Sequence, residues 1–255
     1  MRKKRLFLTV FVLLFFVSSN VSASELCSSK GFTILTINGI FTDEAGALVN
    51  RNNLKKNLPP TFNNQSLTVN YLYNPTHLAG VGDFVDAVAQ GVFEQKSDYD
   101  LTEMLNDASE KVTTQKLLLV AHSQGNFYAN NFYDKTASRP GGIPEESIGV
   151  YGVATPANRV AGGGKYLTSD TDSVILTNVA QFIKILSPNV HIPVSQEVDG
   201  NGHSFSNVYL KYEGDRIVRD IKSALDELKE NDEQEADGSC ISPQKLTLGH
   251  KILKI

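Results

Sequence analysis

Leu117-Leu118-Leu119-Val120-Ala121-His122-Ser123-Gln124-Gly125-Asn126 is the stretch on which the reading of this chain turns. Residues 116–121 end in a run of apolar side chains without alternation, which is what a strand needs when both faces of its sheet are covered. Helical character follows from Phe127 to Tyr133, so the chain passes from a buried strand to a helix through a turn at Ser123.

Working outward, strand and helix signals alternate, which favours an α/β fold over all-α or all-β. Residues 32–37 are a short apolar strand ending in Asn38-Gly39, and residues 67–73 are another, closed by Asn74-Pro75. Phe84, Val85, Val88, Val92 and Phe93 recur at helical spacing beside Gly80 and Gly82, and residues 101–112 continue with helical character. Further strands are expected at 148–153 and near 166–168. Ile217, Val218, Ile221, Leu225 and Leu228 line one face of a C-terminal helix whose other face is charged. The glycines at 162–164 read as a loop, lacking the spacing of a dinucleotide site. No internal repeat is present.

The chain has 255 residues, 41% hydrophobic and 20% charged, an ordinary globular composition that accommodates one domain. With 24 basic and 28 acidic side chains it has no overall field to collect phosphates, so nucleic acid is not an expected partner. Four of the cations, Arg2, Lys3, Lys4 and Arg5, precede an apolar run of about 12 residues and then Val21-Ser22-Ala23. That layout predicts a secretory signal peptide over 1–23, because a membrane-spanning helix needs about 20 apolar residues. A lipidated Cys27 is not expected, since the bulky Leu26 precedes it. The expected mature chain begins at Ser24, with 232 of the 255 residues and a net charge of -8 in place of -4. It is destined for the periplasm or the exterior, with a main domain over 24–230 and an acidic linker and tail over 231–255. The acidic balance argues against unaided binding to an anionic membrane, and no stable anchor is expected. Cys27 and Cys240 lie near opposite ends, and an oxidising compartment would allow them to bridge. Without a Cys-x-x-Cys pair or a Cys/His cluster, a metal site has no support.

Ser-x-Gly occurs three times, at Ser29, Ser123 and Ser147, so the letters alone decide little. Only Ser123 stands between a buried strand and a helix, the setting of a nucleophile elbow. Its tight turn demands small residues two positions to either side, and Ala121 and Gly125 meet that demand. The following helix brings a partial positive charge to the spot where an oxyanion would form.

In these features the chain resembles the α/β-hydrolase superfamily, particularly its lipases and esterases, in which His-Ser-Gln-Gly is a frequent form of the elbow. Ala121 departs from the usual glycine at the first small position. The resemblance implies a mostly parallel sheet with helices on both faces. It also extends to the end of the first strand, where the family's His-Gly is here Asn38-Gly39, followed by Ile40. By position, the backbone amides of Ile40 and Gln124 would form the oxyanion hole. The family order of nucleophile, acid and base directs attention downstream of Ser123. His203, in a glycine-rich loop before the last helix, fits the base best; His191 is second and His250 falls in the tail. Asp172 fits the acid best, in a strand-end loop followed by Val174, with Asp170 in reserve. His122 is expected to pack beside the nucleophile, and His77 to belong to a loop.

The expected activity is therefore that of a serine hydrolase using Ser123, His203 and Asp172 on a small-molecule or lipid-like acyl ester, or a thioester, with no cofactor. Residues 84–93 would serve as a lid or as an ordinary covering helix. Two alternatives remain open at this stage: a non-catalytic binding module of the same fold, and an acyltransferase or amidase with the same triad.

Overall fold

A computed structural model describes residues 27–39, 42–74, 92–180, 184–193, 199–230 and 238–246, with backbone alone for 92–100, 178 and 179. Six strands, β1 (Ser28–Ile37), β2 (Thr61–Phe62), β3 (Gln65–Leu72), β4 (Thr114–His122), β5 (Ile148–Val153) and β6 (Tyr166–Leu167), alternate with helices. The helices are α1 (Glu44–Asn57), α2 (Val92–Lys111), α3 (Gly125–Thr136) and α4 (Leu210–Glu227). The strands make one sheet in the order β2-β3-β1-β4-β5-β6, parallel throughout except for the β2-β3 pair. The fold is thus α/β with a mostly parallel sheet, as expected.

The unalternating run in β4 has its explanation in the two layers that cover it. Successive strand side chains point to opposite faces. Leu118 and Val120 join Leu54 of α1 and Ile217, Ile221 and Leu225 of α4 in one apolar cluster. Leu117, Leu119 and Ala121 join Leu105 of α2 and Ala129 and Phe132 of α3 in the other. Every residue of β4 is buried, and each leucine so buried contributes about 1.5 to 3 kcal/mol.

The strand order also sets where the turn after β4 stands. From β1 the chain passes through α1 to β3 on one side, and β4 then lies on the other side of β1. The helix after β1 covers one face and the helix after β4 covers the other. The strand order thus reverses between β1 and β4, the place beyond whose carboxyl ends open α/β sheets bind their ligands.

Some elements escape the sequence reading. Helix α1 buries only Ala47 and Leu54 and is otherwise rich in Asn, Lys and Arg, so no apolar stripe announces it. Its local mark is the N-cap, where Asp43 Oδ1 accepts the Gly46 N–H at 2.7 Å. Strand β2 is a two-residue edge. At the far end, Cys240 is bonded to Cys27, with their Cα atoms 4.9 Å apart. Ile241 and Leu246 are buried in the α2/α3 cluster, so part of the segment read as tail is docked on the body. The candidate lid at 84–93 lies mostly outside the described residues, as do His77, His250 and the segment read as a signal peptide.

Candidate active site

Ser123 occupies a backbone conformation that a non-glycine residue enters at a cost. Its φ is +57°, in the left-handed region where Cβ crowds the following carbonyl by roughly 1 to 2 kcal/mol. The surroundings hold it there. Its N–H donates to the Val153 carbonyl at the end of β5, 3.0 Å away. The Asn126 side chain donates Nδ2–H to the carbonyls of Ser123 and Val153, at 2.8 and 3.1 Å, clamping the turn to the sheet. Close packing explains the glycines: a Cβ on Gly39 would lie 2.4 Å from Ser123 Cβ, and one on Gly125 would lie 2.6 Å from the Ile37 carbonyl oxygen. The end of β1 and the turn after β4 are in contact because neither glycine carries a side chain.

His203 and Asp172 come to Ser123 from separate loops. The Ser123 hydroxyl lies 2.8 Å from His203 Nε2. His203 Nδ1 lies 2.8 and 3.0 Å from Asp172 Oδ2 and Oδ1. The carboxylate assigns the tautomer, with Nδ1–H donating to Asp172 and Nε2 free to accept the serine proton. The loop that carries His203 is tied down at its base, where Asp199 Oδ2 accepts the N–H groups of His203 and Ser204 at 2.9 and 2.7 Å. The two loops are joined by the Ser173 N–H, which donates to the Asn201 carbonyl at 3.0 Å.

Asp172 is fully buried, so its charge depends on donors. Besides His203, Oδ1 accepts the Ile175 N–H at 3.2 Å and Oδ2 accepts the Tyr209 hydroxyl at 2.8 Å. Sequence reading missed Tyr209, because one tyrosine near the start of the last helix reads as core.

His122 has even parity with Leu118 and Val120 and so points to the α1/α4 face, away from the serine hydroxyl. Its Nε2–H donates to the His203 carbonyl at 2.8 Å, and the two rings lie 4.8 Å apart. Burial first, and the neighbouring His203 second, pull its pKa down to about 3, so the ring is neutral at ordinary pH and packs beside His203. The reserve candidates are elsewhere: His191 Nδ1 pairs with Asp170 Oδ1 at 2.8 Å, both side chains more than half exposed.

Of the two expected oxyanion donors, Ile40 lies outside the described residues. Gln124 is the N-cap of α3, and the first amides of a helix have no intrahelical acceptor. Around them runs a network that the sequence reading treated only as a departure from His. Asn38 Oδ1 accepts the Asn74 N–H at 2.9 Å, and its Nδ2 donates to the Gly39 and Thr42 carbonyls at 3.1 and 3.2 Å. Asn74 Nδ2 in turn donates to Gln124 Oε1 at 2.9 Å. A side chain with both a donor and an acceptor thus brackets 40–41 and couples the ends of β1 and β3 to the turn.

Among the described residues no cluster of His, Cys, Asp and Glu could hold a metal ion, and no helix is long and apolar enough to cross a membrane.

No protein-family model and no curated protein matches this chain. Among solved structures, it is similar to a Trichoderma reesei cutinase in complex with a C11Y4 phosphonate inhibitor, at 14% identity and a TM-score of 0.41, over 79% of this chain and 78% of that one. It is also similar to a cutinase-like protein from Cryptococcus sp., at 8% identity and a TM-score of 0.41, over 80% of this chain and 99% of that one. Likenesses this distant carry no activity across to this chain.

Proposed function

We propose that this protein is an exported serine hydrolase that cleaves a carboxylic ester, with lipid-like esters and thioesters in the substrate class, through a covalent acyl-enzyme. The observation that carries the reading is the unbroken hydrogen-bond path from the Ser123 hydroxyl through His203 to a buried Asp172, with Ser123 directly after the carboxyl end of β4. A strained serine with a base at hydrogen-bond distance, and an acid behind that base, is the arrangement nucleophilic catalysis asks for. The Cys27–Cys240 bond and the basic-then-apolar N-terminal segment support export.

In this mechanism Ser123 Oγ attacks the acyl carbonyl carbon while its proton passes to His203 Nε2. Asp172 stabilises the imidazolium and keeps the ring in plane. The carbonyl oxygen becomes an oxyanion held by the amides of Gln124 and Ile40, aided by the positive end of α3. As the carbon–oxygen bond to the leaving alcohol breaks, His203 returns the proton to that oxygen. Water then gives its proton to His203 and attacks the acyl-enzyme, and the acid departs as Ser123 regains its hydrogen. Neither a metal nor an organic cofactor enters these steps.

A fluorophosphonate probe and a panel of acyl esters test the reading on the mature protein. Stoichiometric labelling and hydrolysis that both vanish in Ser123→Ala are expected. Labelling that survives the substitution overturns Ser123 as nucleophile. Absence of both in the wild type would leave a non-catalytic binding module, and turnover only with an added alcohol or amine acceptor would make the protein an acyltransferase.

A further inference from the structure

We propose that Tyr209 is a positioning residue of the catalytic relay, a fourth member that acts on His203 by donating its hydroxyl hydrogen to Asp172. This rests on the hydrolase reading above and extends it. The geometry leaves the tyrosine little choice. Its oxygen accepts the Ser169 N–H at 3.0 Å and lies 2.8 Å from Asp172 Oδ2. With the amide hydrogen pointing at the oxygen, the single hydroxyl hydrogen is directed to the carboxylate. The side chain is fully buried, and burial followed by the charge of Asp172 raises its pKa far beyond ordinary pH. It is therefore a permanent donor. It stands in the turn Phe205–Tyr209 that leads into α4, so the last helix reaches the acid directly.

The consequence for His203 has a definite sign. Asp172 Oδ2 is shared between His203 Nδ1 and Tyr209, and each donor draws on the same negative charge. Removing the tyrosine hydroxyl concentrates that charge on the imidazole, which then keeps its proton to higher pH. The other groups facing this cluster stay unchanged: His122 from β4, whose ring is 6.4 Å from that of Tyr209, the Ile175 amide, Asp199 at the base of the His203 loop, and the Asp170–His191 pair at the surface.

The test compares wild type, Tyr209→Phe and protein with 3-fluorotyrosine at position 209, a stronger donor of nearly the same shape. In Tyr209→Phe the acid limb of the kcat/KM profile is expected to move up by about half a pH unit, and kcat to fall about threefold to tenfold at unchanged KM. The fluorinated protein is expected to shift the limb to lower pH, and it also serves if Tyr209→Phe does not fold. A lost packing contact alone would not move the limb in opposite directions. Acid limbs identical to wild type in both variants overturn the proposal. The ring-nitrogen NMR titration of His203 in resting protein separates the two claims. If the wild type neither hydrolyses esters nor takes the fluorophosphonate, the hydrolase reading falls. The titration then still moves upward in Tyr209→Phe if Tyr209 acts on the relay, and an unmoved titration refutes it.

Discussion

Replacing His122 with leucine is expected to flatten the loss of stability that acid imposes on this protein. In the folded chain the ring is buried and its pKa is depressed to about 3; in the unfolded chain the same imidazole meets water and takes a proton near its ordinary pKa of about 6.5. Below that pH the unfolded state binds a proton that the native state refuses. The stability contributed by the neutral ring is therefore complete above about pH 6.5 and falls by about 1.4 kcal/mol per unit as pH drops toward the folded pKa. Between pH 7 and 4.5 the loss from this residue comes to about 2.5 kcal/mol. Leucine fills a similar volume, and the small cleft lined by Thr36, Asn38, Asn50 and Phe205 gives room for its branch. The substitution also strips the His203 carbonyl of its donor, at about 1 to 3 kcal/mol, but that cost is the same at both pH values and cancels. The assay is urea unfolding followed by circular dichroism, for both proteins at pH 7 and 4.5, with m compared to check that the unfolded states match. Wild type should lose about 2.5 kcal/mol more than the variant. Losses equal within about 0.5 kcal/mol would refute the account, since the ring would then titrate alike in both states.

One substitution pair and one single substitution probe the frame of the fold. Ser123→Ala and Ser123→Gly both remove Oγ, but only glycine relieves a φ of +57°, so thermal unfolding should find the glycine variant more stable by about 1 kcal/mol; an alanine variant as stable as the glycine one would mean that the turn relaxes. Separating Cys27 from Cys240, 213 residues apart in the chain, by Cys240→Ser should lower stability by about 5 kcal/mol in the chain-entropy model. That appears as a fall in the urea midpoint of the non-reduced protein, and an unchanged midpoint would mean that the ends are held by packing alone.

How much of this was legible in the residues follows from the range of the signals. The β4 run and the 217–225 face of α4 each show an apolar pattern within a few positions, and the turn between β4 and α3 is marked by the small residues Ala121 and Gly125 around Ser123. Helix α1 went unread because two buried residues make no pattern. The candidate acid and base were narrowed by chain order and loop setting, which left Asp170 beside Asp172 and His191 beside His203. Short-range sequence does not separate such neighbours: the two acids share one loop, and only their directions in space differ.

By itself, then, the sequence determined a strand covered on both faces, a serine at the turn that leaves it, and an alternation that permits a parallel sheet, because these depend on hydrophobic period and on local sterics. The tertiary structure alone decided which histidine meets Ser123, that Asp170 and His191 pair with each other at the surface, and that Asn38, Asn74 and Gln124 share one network. It also decided that Tyr209 reaches Asp172 across 37 positions. A hydrogen bond is satisfied over about 3 Å, and whether two polar side chains far apart in the chain come within that distance is settled by the packing of the layers that carry them.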